Sequence, residues 1–96
     1  MPAILEVKIK RKQILDLANR YKVKNIKVFG SVAKEEDGPD SDIDFLVDCK
    51  EDCSLFDLIA LKDDLQQILH RKIDIVTPDS IHWTIRNRVM GEALDI

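Results

Sequence analysis

Apolar positions recur along this chain with two different spacings, and the changes of spacing mark out its elements. Between about Lys8 and Tyr21, Ile14, Leu17, Ala18 and Tyr21 repeat at helical intervals. That helix can start earlier, since Pro2 suits a first turn and Ile4, Leu5 and Val7 would extend its stripe. Asn19 to Lys22 closes it. Ile26 to Phe29 is a short run of β-formers and predicts a strand. A single helical turn is expected over Ser31 to Lys34, and Glu35 to Ser41, with Gly38-Pro39, is loop. The pattern then alternates: Ile43, Phe45 and Val47 share one face of a central strand, while Asp42, Asp44, Leu46 and Asp48 share the other.

Ser54 with Asp57 three residues on resembles a capping box, with Asp where Glu or Gln is more usual. The helix it opens runs from Leu55 to about Leu69, with Leu58, Ile59, Leu61, Leu65, Ile68 and Leu69 as its inward stripe. Lys72 to Val76 predicts a third strand, closed by Thr77-Pro78. Asp79 or Ser80 is the expected cap of a final helical region through Ile81, Ile85, Val89 and Ala93, weakened or bent by Gly91. The order α-β-(α)-β-α-β-α indicates one α/β domain over residues 1–96, a small mixed β-sheet flanked by helices.

Composition narrows the class. With 45% hydrophobic and 34% charged residues, the chain reads as a soluble globular protein, not a disordered one. No apolar run reaches the length of a membrane span and no signal-peptide core precedes the first helix, so a cytoplasmic location is expected. Cys49 and Cys53 have no second half at zinc spacing, and His70 and His82 lie too far apart to supply it. The thiols read as reduced and structural, the histidines as surface or cap residues, and Trp83 as core or interface. Charge is uneven: residues 1–34 hold nine Lys/Arg against two Asp/Glu, whereas residues 35–70 hold two against twelve. A basic block beside an acidic, metal-seeking one would help attract a triphosphate, but most of these charges read as solvated helix and loop faces, and the acidic balance argues against a general nucleic-acid binder.

The candidate chemistry sits in the acidic block. Asp42 and Asp44 are two apart on an extended strand, so their carboxylates project from one face. Like charges so placed repel unless a cation or proton lies between them, and Mg2+ is the usual cation where phosphates complete its shell. Gly30 and Ser31 lie ten residues upstream: glycine lets backbone N–H groups approach a phosphate closely, and the serine adds a hydroxyl. Asp74 lies mid-strand between Ile73 and Ile75, an expensive place for an unpartnered charge. If its strand neighbours the central one, it joins Asp42 and Asp44 as a third carboxylate. A calcium loop also has alternating aspartates at Asp40, Asp42 and Asp44, with Glu51 in the twelfth place, but Phe45 stands where its turn needs glycine and no helix precedes it. A nucleotide-sugar enzyme shares the D-x-D pair on a far longer chain.

The arrangement G-S, ten residues, then D-x-D after a hydrophobic strand resembles the DNA polymerase β-type nucleotidyltransferase superfamily. More narrowly it is similar to the minimal nucleotidyltransferases, small proteins usually paired with a helical HEPN protein. The resemblance implies the polymerase β-like fold and a metal-dependent transfer of NMP, most readily AMP from ATP, to a hydroxyl. It implies that Gly30, Ser31 and Lys34 contact the nucleotide, that Asp42, Asp44 and Asp74 hold two Mg2+, and that Asp74 helps deprotonate the acceptor. Family members commonly read G-S-R-x-[RK]; here Val32 takes the first basic place and Lys34 the second. The implied partner is a HEPN ribonuclease toxin carrying an acceptor tyrosine, which makes this chain its antitoxin; a homo-oligomer is compatible with this. Two other roles fit the same residues: an antitoxin that masks its partner without transfer, and an aminoglycoside-type small-molecule nucleotidyltransferase.

Overall fold

The computed structural model describes residues 2–34, 38 and 41–96. The chain runs α1 (Ala3–Ile9), α2 (Arg11–Arg20), β1 (Val23–Phe29), α3 (Gly30–Ala33), β2 (Ile43–Cys49), α4 (Leu55–Leu69), β3 (Ile73–Val76), a 3-10 turn (Pro78–Ser80), α5 (Trp83–Glu92) and β4 (Leu94–Asp95). Four strands form one sheet in the order β3-β2-β1-β4. β1 is antiparallel to β2 and β4, and β2 is parallel to β3, so the sheet is mixed as its sequence pattern implied.

Alternation along the strands gives the sheet two unlike faces. Ile43, Phe45 and Val47 lie opposite Val28, Ile26 and Ile73 in register, and all are buried in one core with Ile4 and Val7 of α1, Ile14 of α2 and Leu61, Leu65 and Leu69 of α4. The three leucines of α4 fall four apart and form a single line against the sheet. Phe29, Asp44 and Asp74 align on the other face, as do Lys27, Leu46 and Val76. That face carries its own small apolar patch. Leu46 and Ile81 are buried outside the main core, and a cavity of about 130 Å3 remains between Lys27, Leu46, Pro78 and Met90. α5 therefore crosses this face, leaving the aspartate end of the strands beside it.

Helix α4 begins where its cap residues require. The Ser54 hydroxyl accepts from the Asp57 amide at 3.3 Å while the Asp57 carboxylate accepts from the Ser54 amide at 2.9 Å. Two otherwise orphaned donors are satisfied together, and the carboxylate favours the positive end of the helix. His70 closes the helix in the left-handed region at φ 54°. Within the expected stripe, Leu58 and Ile68 are half-buried, but Ile59 is 50% exposed.

Several expectations need correction. The first helix is two, bent at Lys10, whose φ of -95° and ψ of 17° leave the helical range while its carbonyl still accepts from the Ile14 amide. The bend lets α1 bury Ala3, Ile4 and Val7 separately from Ile14 and Ala18 of α2. β1 starts three residues earlier than its β-formers predict, because Lys22 turns the chain at φ 66° and Val23 pairs with Cys49. The final helix is capped by His82, whose ring nitrogen accepts from the Thr84 amide, not by Asp79 or Ser80, which lie in the 3-10 turn. Trp83 is 74% exposed and stacks on His82, so it is not a core residue; Ile85 is also exposed. β4 was not legible at all. The loop predicted over Glu35 to Ser41 lies mostly outside the described residues, as does Asp40. No helix among the described residues is long and apolar enough to cross a membrane.

Candidate active site

The site is built at the strand ends where three backbone segments converge. β2 supplies Asp42 just before its first residue and Asp44 as its second. Parallel pairing sets Asp74 directly beside Asp44, and antiparallel pairing sets Phe29 on the other side of it. The condition on Asp74 is thus met: its strand neighbours the central one, in the register that puts the two carboxylates side by side.

Asp44 shows the consequence electrostatically. Its carboxyl is pushed up to about 6, first by burial, then by the negative charges of Asp74 and Asp42. At neutral pH three carboxylates therefore crowd a half-buried position, and a proton or cation placed among them relieves the repulsion. Among the described residues no three His, Cys, Asp or Glu side chains are placed to hold a metal ion by themselves. An oxygen-only, open set of this kind fits Mg2+, which keeps several waters or phosphate oxygens in its shell.

Gly30 follows Phe29 and opens α3 at φ 75°. Glycine is required twice over at this point. An L side chain rarely adopts that φ, and a Cβ would stand 2.5 Å from Oδ2 of Asp44. The backbone of the Gly30-Ser31 turn therefore lies against the carboxylate that β2 presents. α3 is one turn long, so its amides, not a helix dipole, are what it offers a phosphate.

The neighbouring basic positions are placed differently from the family pattern. Val32 is fully buried in the main core, so the place of the first basic residue is given to packing. Lys34 lies just after α3, and its ammonium is 3.4 Å from the Glu92 carboxylate of α5. A phosphate that recruits Lys34 must compete with that ion pair. The calcium-loop alternative fails on geometry: Phe45 is fully buried in a strand, not in a sharp loop turn.

Arg71 is a residue that sequence reasoning missed. Its guanidinium donates to the carbonyls of Gly38 at 3.3 Å and Ser41 at 3.2 Å, bracing the segment that delivers Asp42. The Ile43 amide donates to the Lys72 carbonyl at 3.0 Å, so the approach to β2 is held on both sides of the aspartate by the two residues that precede β3. Nothing in the local pattern around Arg71 or Glu92 signals these contacts, which exist only through the tertiary fold.

Comparison with known proteins agrees with this geometry. Residues 10–96 match the family model described as the nucleotidyltransferase domain. A Methanocaldococcus jannaschii protein carrying the provisional name protein adenylyltransferase is 41% identical over 88 residues, 92% of this chain and 94% of the relative. The protein adenylyltransferase MntA of Thermococcus cleftensis is 37% identical over 79 residues, 82% of this chain and 80% of that one. A solved structure, described provisionally as a minimal nucleotidyltransferase, superposes with a TM-score of 0.88 at 33% identity, covering 100% of this chain and 97% of the other. A toxin–antitoxin structure with AMP-PNP shares the fold with a TM-score of 0.72 at 22% identity, over 88% of this chain and 69% of that one. The chain belongs to the nucleotidyltransferase domain family, has its polymerase β-like fold in minimal form, and is an enzyme of that class.

Proposed function

We propose that this protein transfers AMP from ATP to a hydroxyl, most specifically a tyrosine of a HEPN-type toxin, and thereby acts as its antitoxin. The observation that carries the reading is the register Phe29–Asp44–Asp74, which sets the Gly30 backbone and two carboxylates around one point. The MntA relative is named a protein adenylyltransferase, and the fold recurs in toxin–antitoxin structures.

In this reading the Gly30-Ser31 turn holds the β- and γ-phosphates through backbone amides and the Ser31 hydroxyl. Asp42, Asp44 and Asp74 are the residues that would hold Mg2+. When bound, the metal supplies charge neutralisation at the attacking and leaving oxygens. Asp74 takes the proton of the acceptor hydroxyl as its oxygen attacks the α-phosphorus; the α–β anhydride bond breaks and pyrophosphate leaves in line. The parallel register that sets Asp74 beside Asp44 places that base at the site before substrate arrives.

A masking antitoxin that transfers nothing is the competing reading. The burial of Val32 and the Lys34–Glu92 pair favour it, because both thin the cationic contacts a triphosphate needs. Growth of cells carrying the toxin separates the two. Under the transfer reading the paired substitution Asp42→Ala and Asp44→Ala abolishes protection while the complex still forms; under masking, protection survives it.

A further inference from the structure

Strand β1 is covered for only part of its length on the side away from β2. β4 pairs with Lys27 and Val28 alone, and among the described residues no strand pairs with residues 23–26 on that side. An open strand edge is a template for a further strand. Here it lines a groove of about 490 Å3 between β1 and α2, bounded at one end by Asp95 and Ile96. Arg11, Leu15 and Ala18 fall at helical spacing, so one line of α2 meets the groove. Leu15, Ala18 and Ile26 give it an apolar floor, while its rim carries the exposed cations Arg11, Lys24 and Lys50. Arg11 stands at the Ile96 end, where its Nε donates to the Ile96 carbonyl at 2.6 Å. Lys50 stands at the other, its ammonium 3.5 Å from Oδ1 of Asn19. Lys24 lies 3.8 Å from Asp48 in an ion pair open to solvent, which exchanges partners at little cost. The one carboxylate among the described lining residues, Asp95, is paired with Lys27 at 3.8 Å.

We infer that this groove docks an extended acidic peptide of a partner protein, which adds as a strand to the edge of β1 beyond β4. Main-chain hydrogen bonds to residues 23–26 hold it, and its alternating side chains give it specificity. Apolar ones enter the groove over Leu15, Ala18 and Ile26; acidic ones between them meet Lys24, with Arg11 and Lys50 at the two ends. Residues 23–26 span about 13 Å of strand, so the site reads about four residues of the peptide. A second copy of this chain is a poor occupant. Pairing two such edges would bring their lysines together, and the β-bulge at Lys24 is a device that opposes edge-to-edge pairing. An acidic strand turns the same lysines into an attraction. In the order β3-β2-β1-β4 the groove lies at the far edge of the sheet from Asp74, so a docked peptide leaves the carboxylates uncovered.

The test titrates the full, isotope-labelled chain with a terminally blocked hexapeptide of alternating valine and glutamate and follows the backbone amides by NMR. Saturable shifts at residues 23–26, with slower amide exchange there and weaker binding at higher salt, are the expected result. Lys24→Glu combined with Lys50→Glu should weaken binding about tenfold. The same protein should gain binding of a valine–lysine hexapeptide, which also shows that it is folded. Methylating one alternate set of peptide nitrogens should abolish binding while the other set is tolerated, as strand pairing requires. No shift at residues 23–26 overturns the inference. Equal affinity for both methylated peptides overturns it too, since that marks a plain anion site, and so does a dimer of this chain that the peptide dissociates.

Discussion

Asp44→Asn is expected to make the metal-free protein more stable at neutral pH while destroying its activity. Asp44 is pushed from an ordinary 3.8 to about 6 in the fold, so ionising it costs the folded state more than the unfolded chain. The sign follows directly. The folded form binds the proton more tightly, so the associated stability is fully present below about pH 4 and is lost as pH rises through about 6. A shift of this size corresponds to about 3 kcal/mol for a group shut away from water. Asp44 is only half-buried, and solvent screening brings the expected gain to about 1–2 kcal/mol. For a domain of this size that is a rise in Tm of about 4–12 °C. Thermal unfolding of both proteins in EDTA, from pH 4 to pH 8, isolates the effect, because all other carboxylates are common to the pair. The difference should be near zero at pH 4, grow between pH 4 and 6, and be flat above pH 7. A substituted protein that is less stable at pH 7.5, or a difference that does not change with pH, would refute the crowding of charge on which the site depends.

Other perturbations follow from the same geometry. Gly30→Ala forces a Cβ to 2.5 Å from the Asp44 carboxylate at a positive φ; it should cost about 1–2 kcal/mol in chemical denaturation and reduce transfer far more than stability. Ser54→Ala removes the hydroxyl half of the capping box and should lower stability by about 1 kcal/mol, read as a drop in Tm, with transfer unchanged at assay temperature. Adding Mg2+ at pH 7.5 should raise the Tm of the unsubstituted protein, and Asp74→Asn should diminish that rise, since it removes the carboxylate paired with Asp44. Arg71→Met should weaken transfer while leaving the protein folded, because it frees the carbonyls of Gly38 and Ser41 next to Asp42; circular dichroism alongside the kinetics checks both halves.

Helix α4 and strand β2 were legible because their signals are local. A serine and an aspartate three apart specify their own reciprocal hydrogen bonds, and alternation from Asp42 to Asp48 needs only an extended backbone to sort its faces. The site was legible in part. The spacing of Gly30 from Asp42 could be read, but the role of Asp74 waited on strand order, which no local pattern states. The bend at Lys10 answers to how α1 and α2 each meet the core, and β4 exists because Leu94 and Asp95 find Val28 and Lys27. A surface or cap role for His82 was legible, but not that it starts α5, because helical spacing alone carries that helix back to Ile81. Arg71 and Glu92 act on the site across sequence separations that only the fold closes.

The most direct test of the central claim weighs the partner itself. The HEPN protein is incubated with this chain, ATP and Mg2+, and its intact mass is measured beside a reaction run with the Asp42→Ala, Asp44→Ala protein. One or more added AMP units, absent with the double substitution and mapping to a tyrosine, is the predicted result. An unchanged mass in a complex that forms and still silences the toxin would contradict the transfer mechanism and leave masking in its place.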